Sequence, residues 1–256
     1  MLLENKVCVI VGAGSLRGIG YATAELFAEH GAKIVAVDIV MNDGVAGEIK
    51  AAIDSKTGRD ADVIGIRCDI ADEEDCTRLF NEVIARFGTV DCLVNSAAIV
   101  KAQPMLTIDG SDFDRMINVN LKGAFNLCKS ALAVFAEQKR GAIVNVASVA
   151  AQRGGGLVGG AHYAASKGGV ISLTRTIARE FGPLGIRANV VCPSMTETSM
   201  LDGLSEERQK EIATTIPLQR AGRPVEIAGA CLFLASELAG YVTGATLDVN
   251  GGSHIH

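Results

Sequence analysis

The fold is decided by residues 7–20, which read VCVIVGAGSLRGIG. A short β-branched run leads into a glycine-rich turn, and a helical pattern starting at Tyr21 follows it. Glycine lets the backbone turn sharply and approach a phosphate group, which amides at a helix N-terminus can then hold. A glycine run alone is a weak signal, because it can equally be a flexible connection. Its place between a strand and a helix makes it a candidate phosphate-binding turn, with Gly12, Gly14, Ser15, Arg17, Gly18, Ile19 and Gly20 as candidate contacts.

The rest of the chain repeats this alternation of short apolar runs and longer helical patterns. Such an order predicts a parallel sheet with helices on both faces. The apolar runs are mostly continuous, as strands buried on both faces require. Strands are predicted at 7–11, 34–38, 63–68, 92–95, 142–147, 187–191 and 246–249, and helices at 18–30, 73–87, 112–137, 162–182 and 224–236.

Length and composition exclude several classes of protein. The 256 residues, 48% of them hydrophobic, suffice for one sizeable core, and no linker or repeat interrupts them, so we expect one domain over 1–256. The net charge of −5 comes without a basic stripe, so nucleic acid is not an expected partner. The N-terminal run is too short for a signal or a membrane span. The seven cysteines form no C-x-x-C pair and are predicted to be reduced core residues in a cytoplasmic protein.

Asp38 strengthens the glycine signal and indicates the cofactor. It ends the second predicted strand eighteen residues after Gly20, where a carboxylate can accept hydrogen bonds from an adenosine ribose, with Ile39 beside it. The same carboxylate would repel the 2′-phosphate of NADP, so NAD is predicted and NADP is the less favoured alternative. Arg17 argues the other way, since a guanidinium near the turn can pair with that phosphate.

Tyr163 and Lys167 form the second constellation. They lie one helical turn apart, so both side chains point to the same face. A phenol is a poor base at neutral pH, but a nearby ammonium favours the phenolate. The alternative is an amphipathic helix with a lysine that extends to solvent.

Ser148 follows the apolar strand 142–147, at the edge where open parallel sheets bind ligands. Its hydroxyl could orient a substrate oxygen there. The alternative is a serine that only satisfies backbone amides at the start of a loop.

Taken together, these motifs resemble the short-chain dehydrogenase/reductase family over essentially the whole chain. The resemblance implies an α/β fold, a single-domain, Rossmann-type, doubly wound parallel sheet of seven strands in the order 3-2-1-4-5-6-7, and a homotetramer. It also implies that Tyr163 is the general acid/base, that Lys167 lowers its pKa and holds the nicotinamide ribose, and that Ser148 steadies the reacting oxygen. Asn120 would hold a water that links Lys167 to solvent. The motifs that carry the resemblance are the glycine turn, Asn95-Ser96-Ala97-Ala98, Asn120, Ser148, Tyr163-x-x-x-Lys167 and Pro193-Ser194-Met195-Thr196.

Further cofactor contacts follow from the same resemblance. It implies that Asp69 and Ile70 contact adenine and that Asn95 and Ala97 line the cofactor cleft. Pro193, Thr196 and Thr198 would lie near the nicotinamide. The chain departs from the family pattern at four places: Val11 with two extra residues in the turn, Ala98, Ser194, and a glycine-rich insertion at 153–160. The extra residues leave open whether Gly12 or Gly14 is the first glycine of the turn.

Substrate identity is the least determined property. We expect the pocket to be lined by 149–161, by 103–106 and by 193–215, the last a mobile substrate loop. Arg153 is the only strong cation of 103–106 and 149–161, so the composition favours a mostly neutral secondary alcohol, or an anionic one if Arg153 points inward. No metal is predicted, because His254 and His256 lack a third ligand in the sequence, and His162 is expected to be structural or at the substrate edge.

The expected function is an NAD(H)-dependent oxidoreductase that interconverts a secondary alcohol and a ketone as small-molecule substrates, without nucleic-acid or membrane partners. An NADPH-dependent 3-oxoacyl-[acyl-carrier-protein] reductase is the alternative within the family. A catalytically idle dinucleotide-binding sensor or scaffold is the alternative from another class, although such a role needs none of Ser148, Tyr163 and Lys167.

Overall fold

The computed structural model describes residues 1–155 and 159–256, and seven parallel strands form one sheet in the order β3-β2-β1-β4-β5-β6-β7. This confirms the predicted fold class and strand order. The register runs outward from β1, where Val9 lies opposite Val35 of β2 and Leu93 of β4. The strands are β1 Val7–Val11, β2 Lys33–Asp38, β3 Val63–Arg67, β4 Cys92–Asn95, β5 Gly141–Val146, β6 Ile186–Pro193 and β7 Thr246–Val249.

Helices cover both faces of this sheet. Several begin at a polar residue whose side chain accepts a hydrogen bond from the first turn, as Asp72 does from Glu74 N at 2.9 Å. The α-helices of the described residues are α1 Ile19–Glu29, α2 Asp43–Thr57, α3 Glu73–Phe87, α4 Gly110–Ile117, α5 Gly123–Gln138, α6 Ala150–Arg153, α7 Ala161–Phe181, α8 Glu206–Thr214 and α9 Pro224–Ala235.

The alternation of side chains along β1 divides the core into two layers. Cys8 and Ile10 pack into the cluster under α1, α2 and α9, whereas Val9 packs into the cluster under α3 and α5. All three side chains are fully buried. Because successive residues of a strand point to opposite faces, a continuous apolar run is what a sheet covered on both sides requires.

Three parts of the chain differ from the helices that the sequence predicts. The sequence pattern did not indicate α2, which buries only Ile49 and Ile53. The predicted helix 112–137 is split by a π-helical segment, Asn118–Lys122, between α4 and α5. The segment 193–215, expected to be the least regular, contains α8; its mobility stays a prediction.

The predicted core cysteines are all buried, and each has a free thiol. Burial raises the pKa of Cys192, the second-to-last residue of β6, to about 12. A protonated thiol is a weak nucleophile, which agrees with a packing role. Of the helices in the described ranges, none combines the length and the apolar composition that crossing a membrane requires.

Candidate active site

The turn after β1 brings the backbone of two glycines into close contact. Gly12 has a φ of +85°, and its N–H donates to Val37 O at 2.8 Å. A Cβ on Gly20 would lie 2.2 Å from Gly12 O, so α1 can approach the turn this closely only with glycine there. Gly12 therefore takes the sharp turn that follows the strand, which answers the question that the two extra residues left open.

Gly14 lies against Asp38 at the end of β2. Its N–H donates to Asp38 Oδ2 at 2.9 Å, and a Cβ on it would be 2.7 Å from the Asp38 Cγ. Ile39, the next residue, leaves 51% of its surface exposed. A carboxylate at a strand end with an exposed apolar neighbour is suited to a ribose and the flat face of a base.

The N-terminus of α1 leaves its amides available for an anion. Gly18 precedes the helix and provides no side-chain cap, and the first turn contains no acidic residue. Unpaired amides and the positive end of a helix dipole favour a phosphate group. Together with the tight glycine contacts, this arrangement fits the pyrophosphate of a dinucleotide.

Arg17, proposed from sequence as a possible partner of a 2′-phosphate, points elsewhere. Its guanidinium forms a bidentate pair with Asp202, with Nη2 to Oδ1 at 2.7 Å and Nη1 to Oδ2 at 3.0 Å. Asp202 follows the short 3₁₀ helix Ser199–Leu201. The ion pair therefore joins the glycine turn to the segment that follows β6, and no feature of the sequence indicated it.

Tyr163 lies in the first turn of α7, beside Ser148. Burial raises the pKa of Tyr163, and the hydroxyl of Ser148 acts in the opposite direction by hydrogen bonding. The Ser148 Oγ also accepts from Ala150 N at 3.1 Å, so it satisfies a backbone amide as well as facing the phenol. Both roles considered from the sequence are compatible with this position.

Lys167 is only 3% exposed, and its Nζ donates to Val146 O at 2.8 Å. Burial lowers its pKa to about 8. The Nζ lies 6.0 Å from the centroid of the Tyr163 ring. Burial of the phenol opposes the predicted lowering of the Tyr163 pKa by Lys167, which stays a prediction.

Asn120 occupies the π-helical segment and is almost fully buried. Its Nδ2 donates to Ile99 O at 2.9 Å and to Ser166 Oγ at 3.2 Å, and its Oδ1 accepts from Ile99 N at 2.9 Å. The side-chain amide is thus fully engaged and ties the loop after β4 to α7. The water-holding role of Asn120 stays a prediction. A π-helical turn is often found at functional sites.

The remaining predicted cofactor residues divide between cleft and core. Asn95 Oδ1 accepts from Ala97 N at 3.2 Å, which shapes the loop next to Gly12. Asp69 Oδ1 accepts from Ala71 N at 3.0 Å. The Ile70 side chain is buried against Gly123 in the core, and an adenine contact by Asp69 and Ile70 stays a prediction.

A cavity of about 230 Å³ connects the glycine turn with Tyr163. Arg153 and Lys167 are the only charged residues in the described part of its wall. His162, predicted to be structural or at the substrate edge, is fully buried. The wall of the cavity includes Ile19, Ser96, Ser148, Arg153, Gly159, Tyr163, Lys167, Pro193, Thr196, Thr198, Leu201 and Ser253.

Gly159 is a site residue that sequence analysis did not single out. A Cβ on it would lie 2.4 Å from Tyr163 Cδ1, so the tyrosine ring rests directly on its backbone. The sequence pattern indicated only a glycine-rich insertion at 153–160, of which 156–158 lie outside the described residues.

These features define a doubly wound fold of the nucleotide-binding type, with a tyrosine, a lysine and a serine at the carboxyl edge of its sheet. Comparisons with known proteins are consistent with this class. The family described as enoyl-(acyl carrier protein) reductase matches residues 12–254. An uncharacterized short-chain type dehydrogenase/reductase, y4mP of Sinorhizobium fredii, is 45% identical over the full length of both chains.

Two further relatives extend the comparison. The 3-oxoacyl-[acyl-carrier-protein] reductase FabG of Thermotoga maritima is 38% identical over 98% of this chain and 99% of its own length. The crystal structure of levodione reductase superposes with a TM-score of 0.91 at 33% identity, covering 98% of each chain. The chain therefore belongs to the short-chain dehydrogenase/reductase family.

Proposed function

We propose that this protein is an NAD(H)-dependent oxidoreductase that interconverts a secondary alcohol and a ketone. The proposal rests on the observation that one and the same cavity is lined by Ile19 at the glycine turn, by Ser148 and by Tyr163. A substrate in this cavity lies between a proton-transfer group and a dinucleotide site. Hydride transfer requires that the substrate lie close to the cofactor as well as to the proton-transfer group.

In the oxidative direction, the substrate hydroxyl donates its proton to the Tyr163 phenolate while the carbinol C–H bond breaks. Bound NAD⁺ would accept that hydride, and the ketone leaves. Ser148 hydrogen-bonds to the substrate oxygen and keeps it near the phenol. Lys167, a buried cation at pH 7, favours the phenolate and would hold the nicotinamide ribose. Reduction follows the same steps in reverse, with Tyr163 as the proton donor.

Two contacts support NAD over NADP. Asp38 lies beside the glycine turn with its carboxylate hydrogen-bonded to Gly14 N, where a 2′-phosphate would approach it. Arg17, the cation that could offset this repulsion, is paired with Asp202. Two desolvated anions repel each other, so initial rates should give a higher kcat/KM with NAD⁺ than with NADP⁺. A preference for NADP⁺ would contradict the cofactor assignment.

The reaction class is tested by assaying the wild type and a variant without the Tyr163 hydroxyl on the same set of substrates. A panel of neutral secondary alcohols, hydroxy acids of similar size and their ketones is followed by nicotinamide absorbance. Tyr163→Phe keeps the ring and removes the proton-transfer group, so turnover should fall by roughly 10²- to 10⁴-fold with little change in cofactor affinity. Undiminished turnover in Tyr163→Phe would falsify the role of Tyr163.

A second candidate is reduction of 3-oxoacyl groups on an acyl carrier protein. It is favoured by the identity to the Thermotoga maritima reductase over nearly the whole chain. A 3-oxoacyl thioester in the same panel distinguishes the two, since the second candidate requires it to be the best substrate. Cofactor binding without turnover across the panel would instead favour the idle sensor or scaffold.

A further inference from the structure

The residues after β7 bring two histidines next to a carboxylate. Asp248 lies in β7, and His254 and His256 follow it. The chain reverses through Gly251 and Gly252, whose φ values are +64° and +87°. Ligand atoms of the two imidazoles and the carboxylate all lie within 4.8 Å of one another. The third ligand that the His-x-His sequence lacked is therefore Asp248.

The geometry of the cluster is close to that of a coordination site. His256 Nε2 lies 3.2 Å from Asp248 Oδ2. Two ligands on a tetrahedral zinc ion, each bonded at about 2.1 Å, are about 3.4 Å apart. The rings of His254 and His256 meet edge to face with centroids 4.6 Å apart.

Gln152 of α6 supplies the outer interaction that a ligating carboxylate usually has. Its Nε2 donates to Asp248 Oδ1 at 2.8 Å, which leaves Oδ2 for the histidines. Such hydrogen bonds orient metal ligands. The Oε1 of Gln152 is buried and finds no donor within residues 1–155 and 159–256. A metal-bound water would be such a donor.

We propose that Asp248, His254 and His256 bind one divalent metal ion of the zinc class, with a water as the fourth ligand. Two imidazole nitrogens and one carboxylate oxygen suit Zn²⁺, whereas Mg²⁺ and Ca²⁺ prefer oxygen ligands. The role is structural, since the hydride transfer proposed above needs no metal.

The position of this metal site gives it an effect on the substrate cavity. Gln152 belongs to the helix that follows Ser148, and its neighbour Arg153 lines the cavity. Ser253, between the two halves of the metal site, lines the same cavity. A metal ion would hold the residues after β7 against α6 and so fix the outer wall of the pocket.

Metal binding is measured on the untagged full chain, with Zn²⁺ titrated in competition with a chromogenic chelator. The wild type should bind one Zn²⁺ per chain with a Kd below about 10 µM. His254→Ala and His256→Ala should each weaken binding by at least about tenfold, because each removes a ligand. His30→Ala, which removes a histidine outside the cluster, should bind as the wild type does.

Measuring the Tm with and without Zn²⁺ distinguishes the loss of a metal ligand from misfolding of the variant. Zn²⁺ should raise the Tm of the wild type and of His30→Ala but not that of His256→Ala, whose metal-free Tm should match the wild type because the side chain is exposed. Three results would overturn the proposal: no saturable binding by the wild type, unchanged binding by His254→Ala, or equal binding of Mg²⁺. Since no readout uses catalysis, the result is independent of the proposed oxidoreductase activity.

Discussion

The position of Tyr163 depends on Gly159, a residue with no chemical role in the proposed reaction. Its ring rests on the backbone of Gly159, where a Cβ would come within 2.4 Å of Cδ1. Real Cβ atoms do not approach this closely, so any side chain at 159 must displace the ring or the segment that carries it. Gly159 therefore constrains where the Tyr163 ring lies in the wall of the cavity.

We expect Gly159→Ala to lower kcat by about tenfold or more, because a misplaced acid/base group loses much of its effect. Cofactor affinity should change little, since Gly159 is not part of the glycine turn that would hold the dinucleotide. The matched control is Gly229→Ala on the exposed face of α9, where a Cβ meets nothing within 4 Å. Equal kcat values for the two variants would show that the contact does not position the ring.

Lys167 makes the stability of the protein depend on pH in a defined direction. Burial lowers its pKa from 10.5 to about 8. At pH values between these two, the unfolded chain holds this proton and the folded chain does not, so stability rises with pH. Below about pH 8 both states are protonated, and the folded state carries the full cost of the buried charge.

The free energy of unfolding of the wild type should therefore rise relative to that of Lys167→Met between about pH 8 and pH 10.5. The expected gain is on the order of 3 kcal/mol over the whole window. Urea unfolding at several pH values measures the difference. Lys129→Met removes an exposed lysine and should show no such trend. A difference that is flat with pH for Lys167→Met would mean that the amine is not desolvated in the folded state.

At the scale of elements, the Arg17–Asp202 pair connects two segments that are 185 residues apart in the chain. One precedes α1 and the other follows the 3₁₀ helix Ser199–Leu201. Ile19 and Leu201, close to the two partners, both line the cavity. The pair thus lies where opening of the segment after β6 would expose the cofactor site.

We expect Arg17→Ala and Asp202→Asn to speed cofactor dissociation by roughly two- to fivefold each, a modest effect because the pair is exposed. The double variant should be no faster than either single one, since each change breaks the same pair. Stopped-flow fluorescence of the reduced nicotinamide measures the rate. Lys129→Ala breaks a similarly exposed pair with Glu73 and serves as the control. Additive effects in the double variant would show that the two side chains act separately.

The elements also show what a sequence can and cannot predict. The strands were predicted almost to the residue, because burial on both faces leaves continuous apolar runs such as Val7–Val11. Helix α2 was missed, since only Ile49 and Ile53 are buried and the remaining pattern is that of an exposed polar segment. The π-helical segment Asn118–Lys122 shifts the helical period without any marker in composition.

The candidate site divides in the same way. Ser148, Tyr163 and Lys167 could be identified as candidates from the sequence. Ser148 directly follows a predicted strand, and Tyr163 and Lys167 lie one helical turn apart. The pairing of Arg17 with Asp202 could not, since it depends on how distant segments pack. The pairing of Asp248 with His256 could not either, since it depends on a chain reversal that the sequence pattern does not describe. The contact of Gly159 with Tyr163 spans only four residues, but it depends on the path of a glycine-rich segment that periodicity does not describe.

For the molecule as a whole, two exposed apolar side chains on α4 and α5 bear on the oligomeric state. Phe113 on α4 and Phe125 on α5 leave 44% and 47% of their surfaces exposed. Large exposed apolar side chains on helices are typical of protein interfaces. Because family resemblance implies a homotetramer, we propose that α4 and α5 pack against the same helices of a second copy.

Light scattering after size exclusion should then give a mass near 106 kDa, four times the 26.6 kDa of one chain. Phe125→Glu places a charge in the proposed interface and should reduce the mass to that of a dimer or monomer, because an unpaired buried charge is costly. Leu184→Glu makes the same kind of change at a residue that is 38% exposed and distant from α5 in the chain, and it should leave the mass unchanged. A wild type that elutes as a monomer would contradict the tetramer. A Phe125→Glu variant that stays tetrameric would place the interface on another face of the molecule.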